Sequence, residues 1–324
     1  MLEEHLIGQP VAARQLETAL GRGALHHAYR LQGAKGVGKR LAATLVAQAL
    51  VCRDAVRPCR TCRDCRAVAA QRHPDLHIVE PEGASISIEQ VRALKHAVAL
   101  RPQQALRQIA VIDPADALSI PAQNSLLKLL EEPPGEALLL LIEQGFGALL
   151  PTIRSRCFTL RFGELPRAAL IDRAQRVTDD AEQAALAAAL ARGSFGALDE
   201  LVAQDVVGAR DGVLADLESL SGPERGAVIP IAMRWAAADS FALRLDLAAL
   251  LFRDLIAEPG SGRVVNADRR DRLGSWRRRL PEQAAGRAFA RVVAARAQLA
   301  RNLNPRIVAD ALCVDLHALL SEGA

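Results

Sequence analysis

The sequence contains no apolar run approaching the ~20 residues that a helix needs to cross a bilayer. Its start, Met1 to His5, lacks the basic-then-apolar order of a secretory signal. Fixed-period repeats and low-complexity tracts are missing, as is any acidic cluster that could hold two catalytic metal ions. We therefore expect a cytoplasmic protein without membrane contact, and nothing supports polymerase or exonuclease chemistry by this chain.

The composition provides enough apolar material for a sizeable core. The chain has 324 residues, of which 50% are hydrophobic and 24% are charged. That is enough for a globular protein with two or three domains. The formal net charge of +4 permits contact with a polyanion but does not require it.

Four of the six cysteines lie close together in the sequence, at Cys52, Cys59, Cys62 and Cys65. Thiols stay reduced in the cytosol, so disulfides are not expected there. Four thiolates at this spacing can converge on one tetrahedral ion, and their softness favours zinc. Such a site would be structural, because four protein ligands leave no position open for a substrate. The alternative is a loop of reduced cysteines without a metal.

A glycine-rich stretch, Gly33 to Arg40, follows a predicted strand and precedes a predicted helix at residues 41–50. Gly33 and Gly38 would let backbone N–H groups face phosphates at the helix N-terminus, and Lys39 would reach the β and γ phosphate oxygens of ATP. The motif then needs Ser or Thr to ligate Mg²⁺, but the next residue is Arg40. Two interpretations stay open: an ATP site, and a glycine-rich turn that no longer binds nucleotide.

Two apolar runs predict buried strands, at residues 108–113 and 137–142. The first ends in Asp113, an acid placed to orient Mg²⁺ at a nucleotide site. Between the strands, residues 122–132 predict an amphipathic helix that stops at Pro133-Pro134, since proline lacks the N–H that a helix needs. Strand, acid, helix and strand in this order predict an α/β nucleotide-binding core.

This order, followed by Ser155-Arg156-Cys157, resembles the AAA+ clamp-loader family, and the resemblance extends over nearly the whole chain. It implies an α/β AAA+ (RecA-like) core with a parallel sheet, followed by a small helical lid and an all-α collar domain. The implied boundaries are 1–162 for the core, 163–207 for the lid and 208–324 for the collar. The family also carries a similar four-cysteine zinc module, here inserted into the core at residues 52–65.

Within this resemblance, Arg156 stands where the family has an arginine finger. The guanidinium of such a finger enters the ATP site of the neighbouring subunit and stabilises charge that develops on the γ-phosphate. From the residues alone, a solvated arginine at a strand edge is the alternative.

The residues that hydrolyse ATP in active family members are replaced at four places. Arg40 takes the place of the Mg²⁺ ligand, and Pro114 stands where active members carry a Glu that positions the attacking water. The second strand ends in Glu143-Gln144, where a small hydroxyl or amide would sense the γ-phosphate, and we expect the acid to repel phosphate. Gly196-Ala197 replaces the Arg-Asp of a second sensor in the lid. The resemblance therefore implies that this chain alone does not hydrolyse ATP.

The implied function is that of an end subunit in the bacterial DNA polymerase III clamp loader, which loads the sliding clamp onto primed DNA. Gamma/tau and delta subunits would be its partners in a hetero-oligomeric ring. A nucleotidyltransferase label would belong to the whole DNA polymerase holoenzyme.

Two other interpretations of the chain stay open. Lys39 and Asp113 favour an active gamma/tau-type ATPase. The cysteines, together with the arginine-rich run from Arg269 to Arg279, favour a zinc-dependent nucleic-acid-binding protein. The alternative interpretation of that run is a solvated helix face.

Overall fold

The computed structural model describes residues 2–133, 135, 137–145, 149–237, 240–257 and 264–321. Pro134, the second proline of the predicted helix stop, lies outside the described residues, as do Met1 and Ala324 at the outer domain boundaries. The chain divides into two compact units, which are residues 1–170 with 192–197 (unit 1) and residues 171–191 with 198–324 (unit 2). The three-part division into core, lid and collar stays a prediction.

Unit 1 is built on a parallel sheet. Its strands are β1 (Ala28–Gln32), β2 (Leu76–Val79), β3 (Gln108–Ile112), β4 (Ala137–Glu143) and β5 (Phe158–Arg161). They lie in the order β2-β3-β4-β1-β5, and every neighbouring pair is parallel. The helices up to this point are α1 (Leu2–His5), α2 (Pro10–Gly21), α3 (Lys39–Val51), α4 (Arg63–Ala69), α5 (Ile88–Val98), α6 (Ile120–Glu131) and α7 (Pro151–Arg154), with a short 3-10 helix at Ala115–Ala117.

The two central strands, β3 and β4, explain why the sheet is covered on both faces. Every residue of both strands is buried, as expected of parallel strands between two layers of helices. Alternate residues supply the two layers, since Val111 and Leu140 belong to one apolar cluster and Ala110 and Leu139 to the other. The predicted α/β core with a parallel sheet is therefore confirmed.

Helix α6 is the amphipathic helix predicted before the proline pair. Leu126, Leu129 and Leu130 are buried against the sheet. The helix ends at Glu131, two residues before Pro133. Its buried face fixes α6 against the core, so Glu131, at the end of the helix, has a defined position.

Beyond β5, the described residues are mainly helical, as predicted for the C-terminal region. The helices are α8 (Arg167–Gln175), α9 (Ala181–Leu190), α10 (Phe195–Val202), α11 (Val206–Leu220), α12 (Val228–Ala236), α13 (Phe241–Ile256), α14 (Arg270–Arg279), α15 (Glu282–Ala300) and α16 (Pro305–Ser321), with short 3-10 helices at Arg225–Ala227 and Ala267–Arg269. In unit 2, α13 packs on α15 and α12 on α16, around the fully buried Trp235 and Phe252. Among the described helices, none has the length and apolar character needed to cross a membrane.

Candidate functional site

The glycine-rich loop connects the end of β1 to the start of α3, as its sequence predicts. Gly38, the residue before α3, has a φ of 101°, which glycine adopts without strain. A Cβ atom at Gly33 would lie 2.3 Å from the carbonyl oxygen of Phe162, so only glycine fits there. Together with Lys39 and Asp113, the loop lines a cavity of ≈ 650 Å³ in unit 1. Gly38, Lys39 and Asp113 thus line one cavity, whereas Gly33 lies outside its lining and contacts Lys39 through its carbonyl oxygen.

Lys39 is turned onto its own loop. Its Nζ donates hydrogen bonds to the carbonyl oxygen of Gly33 at 2.7 Å and to that of Ala34. The side chain is only 4% exposed. Burial lowers the pKa of Lys39, and the charge of Asp113 opposes that change. In this arrangement the ammonium group holds the loop closed.

Arg40 forms ion pairs with two acids that line the cavity. Its Nη1 lies 3.0 Å from Oδ2 of Asp113 and also contacts Oε1 of Glu80. Burial alone would lower the pKa of Arg40, but the hydrogen bonds and charges of Glu80 and Asp113 raise it overall. Burial raises the pKa of Asp113, although the Arg40 guanidinium opposes this shift. The carboxylate predicted to orient Mg²⁺ is therefore already paired with a cation from the chain.

Asp116, the acid nearest to Pro114, binds backbone instead of facing the cavity as a base. Its Oδ1 accepts the N–H of Gly145 at 3.3 Å, and its Oδ2 accepts the N–H of Gln144. Its carboxylate thus fixes the segment that follows β4. Both carboxylate oxygens of Asp116 are therefore engaged by backbone N–H groups.

The expectation that an acid at the end of β4 would repel phosphate was wrong. Glu143 is fully buried and pairs with Arg30 of β1, with 3.1 Å between Oε2 and Nη1. Gln144 lines the cavity instead. Successive residues along a strand point to opposite faces, so the acid and the amide are separated by the sheet. The side chain that reaches the cavity from the end of β4 is therefore an amide and not an acid.

The segment Ser194–Ala197 lies against the glycine-rich loop within unit 1. The N–H of Phe195 donates to the carbonyl oxygen of Gly36 at 3.0 Å. Phe195 and Gly196 line the cavity. The segment predicted to replace a second sensor therefore lies next to the loop, and it brings a glycine to the cavity.

Arg156 follows α7 and precedes β5. Its Nη2 lies 2.7 Å from Oε1 of Glu131, at the end of α6, and its Nη1 donates to the carbonyl oxygen of Thr152 at 3.0 Å. The side chain remains 37% exposed. It therefore presents a guanidinium at the surface, oriented by two helices.

The four clustered cysteines converge as the spacing predicts. Their sulfur atoms all lie within 4.8 Å of one another, whereas four sulfurs about 2.3 Å from a tetrahedral ion would be about 3.8 Å apart. The N–H groups of Cys62 and Thr61 lower the pKa of Cys59 to about 6. Cys52 and Cys65 are buried, and all four are free thiols. This cluster could hold one metal ion, and its geometry and ligand type are compatible with zinc.

A model of the family described as "DNA polymerase III, delta subunit" matches residues 8–166. Over this stretch, just under half of the chain, the sequence is similar to that family. The glycine-rich loop, the cysteine cluster and Arg156 all fall within it.

Individual relatives agree with this assignment. The chain is 39% identical to DNA polymerase III subunit delta' of Bacillus subtilis over 166 residues, which are 51% of this chain and 50% of the relative. Identity to subunit delta' of Pseudomonas aeruginosa is 43% over 147 residues, 44% of this chain and 45% of the relative. Identity to subunit tau of Bacillus subtilis is 32% over 183 residues, 56% of this chain and 32% of the relative. The chain thus spans about half the length of its delta' relatives or less.

Part of the arginine-rich run, which lies outside the matched residues, is used within unit 2. Arg269 pairs with Asp211 at 2.7 Å, and Arg272 pairs with Glu218 at 2.7 Å. Arg277 donates to the carbonyl oxygen of Leu255 at 3.1 Å. These contacts place three of the arginines in the packing of the helices, which the sequence pattern did not indicate.

Sequence reasoning also missed the two acids that hold the site arginines, Glu80 and Glu131. One signal could have found Glu80. It directly follows β2, whose Val79 is in register with Ile112 of β3, so Glu80 and Asp113 emerge side by side at one edge of the sheet. Glu131 belongs to the motif helix α6, but its contact with Arg156 depends on tertiary packing.

Proposed function

We propose that this chain is a clamp-loader subunit that does not hydrolyse ATP and donates Arg156 to the ATP site of a neighbouring motor subunit. Its ring partners would be gamma/tau and delta subunits, and it would work in the cytoplasm. Through the assembly it would take part in loading the sliding clamp onto primed DNA. The names and similarity of its relatives support the assignment to the DNA polymerase III assembly.

The ion pair between Arg40 and Asp113 carries the ATPase-inactive part of this proposal. A second cation near the guanidinium would be repelled by about 4 kcal/mol per pair of unit charges 4 Å apart, at an effective dielectric constant of about 20. A Mg²⁺ ion therefore loses both its ligand and its electrostatic advantage at Asp113. Without it, the charge on a transferring phosphoryl group is not neutralised. Pro114 cannot position the attacking water, and Asp116 is engaged with backbone N–H groups. Glu80, which lines the cavity, is paired with Arg40.

The exposure of Arg156 supports the finger part of the proposal. An arginine finger must reach another subunit, so its guanidinium has to lie at the surface in a fixed direction. Arg156 is 37% exposed and held by Glu131 and Thr152. An exposed finger, combined with a cavity that has lost its cation site, fits a subunit that completes a neighbour's site and has no working site of its own.

We further propose that Cys52, Cys59, Cys62 and Cys65 bind one structural zinc ion. Their convergence within 4.8 Å supports this. The sulfur of Cys59 accepts the N–H of Cys62 at 3.3 Å, and the lowered pKa of Cys59 favours its thiolate. Four cysteine ligands would saturate the ion, so it would stabilise the fold without taking part in a reaction.

The experiment compares ATP turnover by the purified chain alone, by a reconstituted complex with gamma/tau-type and delta-type subunits, and by the same mixture without this chain. We expect no turnover by the chain alone and faster turnover by the complete complex than by the mixture that lacks it. Turnover by the isolated chain would identify an active gamma/tau-type ATPase instead. Tight, salt-sensitive DNA binding by the chain alone, without association with the partner subunits, would identify a nucleic-acid-binding protein.

A further inference from the structure

One ion pair joins the two sequence features that carry the family resemblance most specifically, helix α6 and the Ser155-Arg156-Cys157 segment. Glu131, the last residue of α6, places Oε1 2.7 Å from Nη2 of Arg156. The carbonyl oxygen of Thr152 in α7 accepts a hydrogen bond from Nη1 at 3.0 Å. The guanidinium is therefore held from two sides, by the ends of two helices.

These two contacts engage only some of the hydrogen-bond donors of Arg156. A guanidinium carries five N–H donors in a rigid fork, and the contacts to Glu131 and Thr152 engage only the Nη1 and Nη2 groups. The N–H of Nε and the second N–H of each terminal nitrogen have directions of their own. Arg156 can therefore contact a phosphate oxygen while Glu131 stays in place.

The position of Glu131 is itself well determined. Helix α6 is anchored by buried leucines on its inner face, and it is fastened to the start of α7 by Gln123, whose Oε1 accepts the N–H of Leu150 at 2.8 Å. This contact joins the first turn of α6 to the residue before α7, so the two helices that hold the guanidinium are fixed to each other.

Helix stability does not explain a glutamate at this position. The carbonyl end of a helix carries partial negative charge, which disfavours an acid in the last turn. Both members of the pair are also about half exposed, at 37% for Arg156 and 47% for Glu131, and such pairs add little to stability. The glutamate is more useful for directing the arginine than for holding the fold together.

We propose that Glu131 is a positioning residue, which holds the Arg156 guanidinium in the direction needed to enter the neighbouring ATP site. This inference rests on the proposed finger function of Arg156. Glu131 does not touch nucleotide, and it acts by restricting the arginine to one orientation before and during contact with phosphate.

The test is a double-mutant cycle on ATP turnover by the reconstituted complex. We expect Glu131→Ala to lower the share of kcat that belongs to the adjacent motor subunit about two- to five-fold, the range expected for coupling within a half-exposed ion pair, with the KM for ATP unchanged. Glu131→Gln keeps an oxygen acceptor and should lose less activity. In the Arg156→Ala background, Glu131→Ala should cause no further loss, because the residue it positions is already gone.

Glu132→Ala is the matched control, since it removes the same charge from the adjacent position. Size-exclusion chromatography must show that each variant forms the intact complex. If the Glu131→Ala variant does not assemble, Glu131→Gln takes its place in the cycle. An effect of Glu131→Ala equal to that of Glu132→Ala would overturn the inference, as would an additive loss in the Arg156→Ala background. If Arg156→Ala itself has no effect, the proposed finger function fails, and this inference fails with it.

Discussion

Removal of the Arg40 side chain should destabilise unit 1, and by an amount that depends on pH. The guanidinium neutralises Asp113, whose side chain is only 9% exposed, and also contacts Glu80. A carboxylate left partly buried without its partner costs about 1–3 kcal/mol, and the 42% exposure of Arg40 places the expected loss near the lower end. For a unit of this size, a loss of about 1 kcal/mol lowers the Tm by about 2–4 °C. Thermal unfolding of wild-type protein and of Arg40→Ala at pH 7 measures this difference in Tm.

The pH dependence follows from the raised pKa of Asp113. Burial already holds this pKa above its ordinary value, and loss of the guanidinium raises it further. When the pKa of a carboxyl is higher in the folded state than in the unfolded state, its ionisation destabilises the fold. This destabilisation is absent below the unfolded-state pKa of about 3.9 and grows as the pH rises through the folded-state pKa. The Arg40→Ala substitution should therefore lower the free energy of unfolding by its full amount at pH 7 and by less at pH 4. Arg22→Ala, at an exposed site of the same unit, is the control. Equal losses at both pH values, or none at pH 7, would refute the reasoning.

Two further predictions concern other parts of unit 1. Elemental mass spectrometry of the purified protein should find one zinc per chain. The Cys62→Ser variant should contain no zinc and should unfold at a lower temperature. A wild-type protein that contains no metal and has the same Tm as the variant would contradict this. Asp75 is fully buried and accepts the N–H groups of Gln103, Gln104 and Ala105 at 2.7 Å each, so Asp75→Ala should cost about 3 kcal/mol in denaturant unfolding. Burial would raise the pKa of Asp75, but the three hydrogen bonds lower it overall, so its stabilisation should persist above about pH 3.9 and decline as the pH falls below that value.

The core of the fold was predictable because its signals are local. The apolar runs at β3 and β4 are long enough and buried enough to identify central parallel strands. The proline after α6 marks the end of that helix in the sequence itself. The convergence of the cysteines followed from their spacing, since close ligands on a short loop can meet without information about the rest of the chain.

The contacts of the site arginines were not predictable in the same way. Arg40 and Asp113 are 73 positions apart, and their pairing depends on how α3 begins beside the sheet. The same is true of Arg156 and Glu131, which meet only because α6 packs against α7. The error at Glu143 was avoidable, because the two-residue period of a strand places it on the face opposite to Ile142 and Gln144.

The most direct test of the account is ATP turnover by a reconstituted complex that carries Arg156→Ala, with clamp and primed DNA present. Arg154→Ala is the matched control, since it removes an exposed arginine two positions away. An arginine finger contributes about 10³–10⁵ to kcat at its own site, so Arg156→Ala should abolish the share of turnover that belongs to the adjacent motor subunit and leave the KM for ATP unchanged. Wild-type turnover by an intact Arg156→Ala complex would contradict the proposed function.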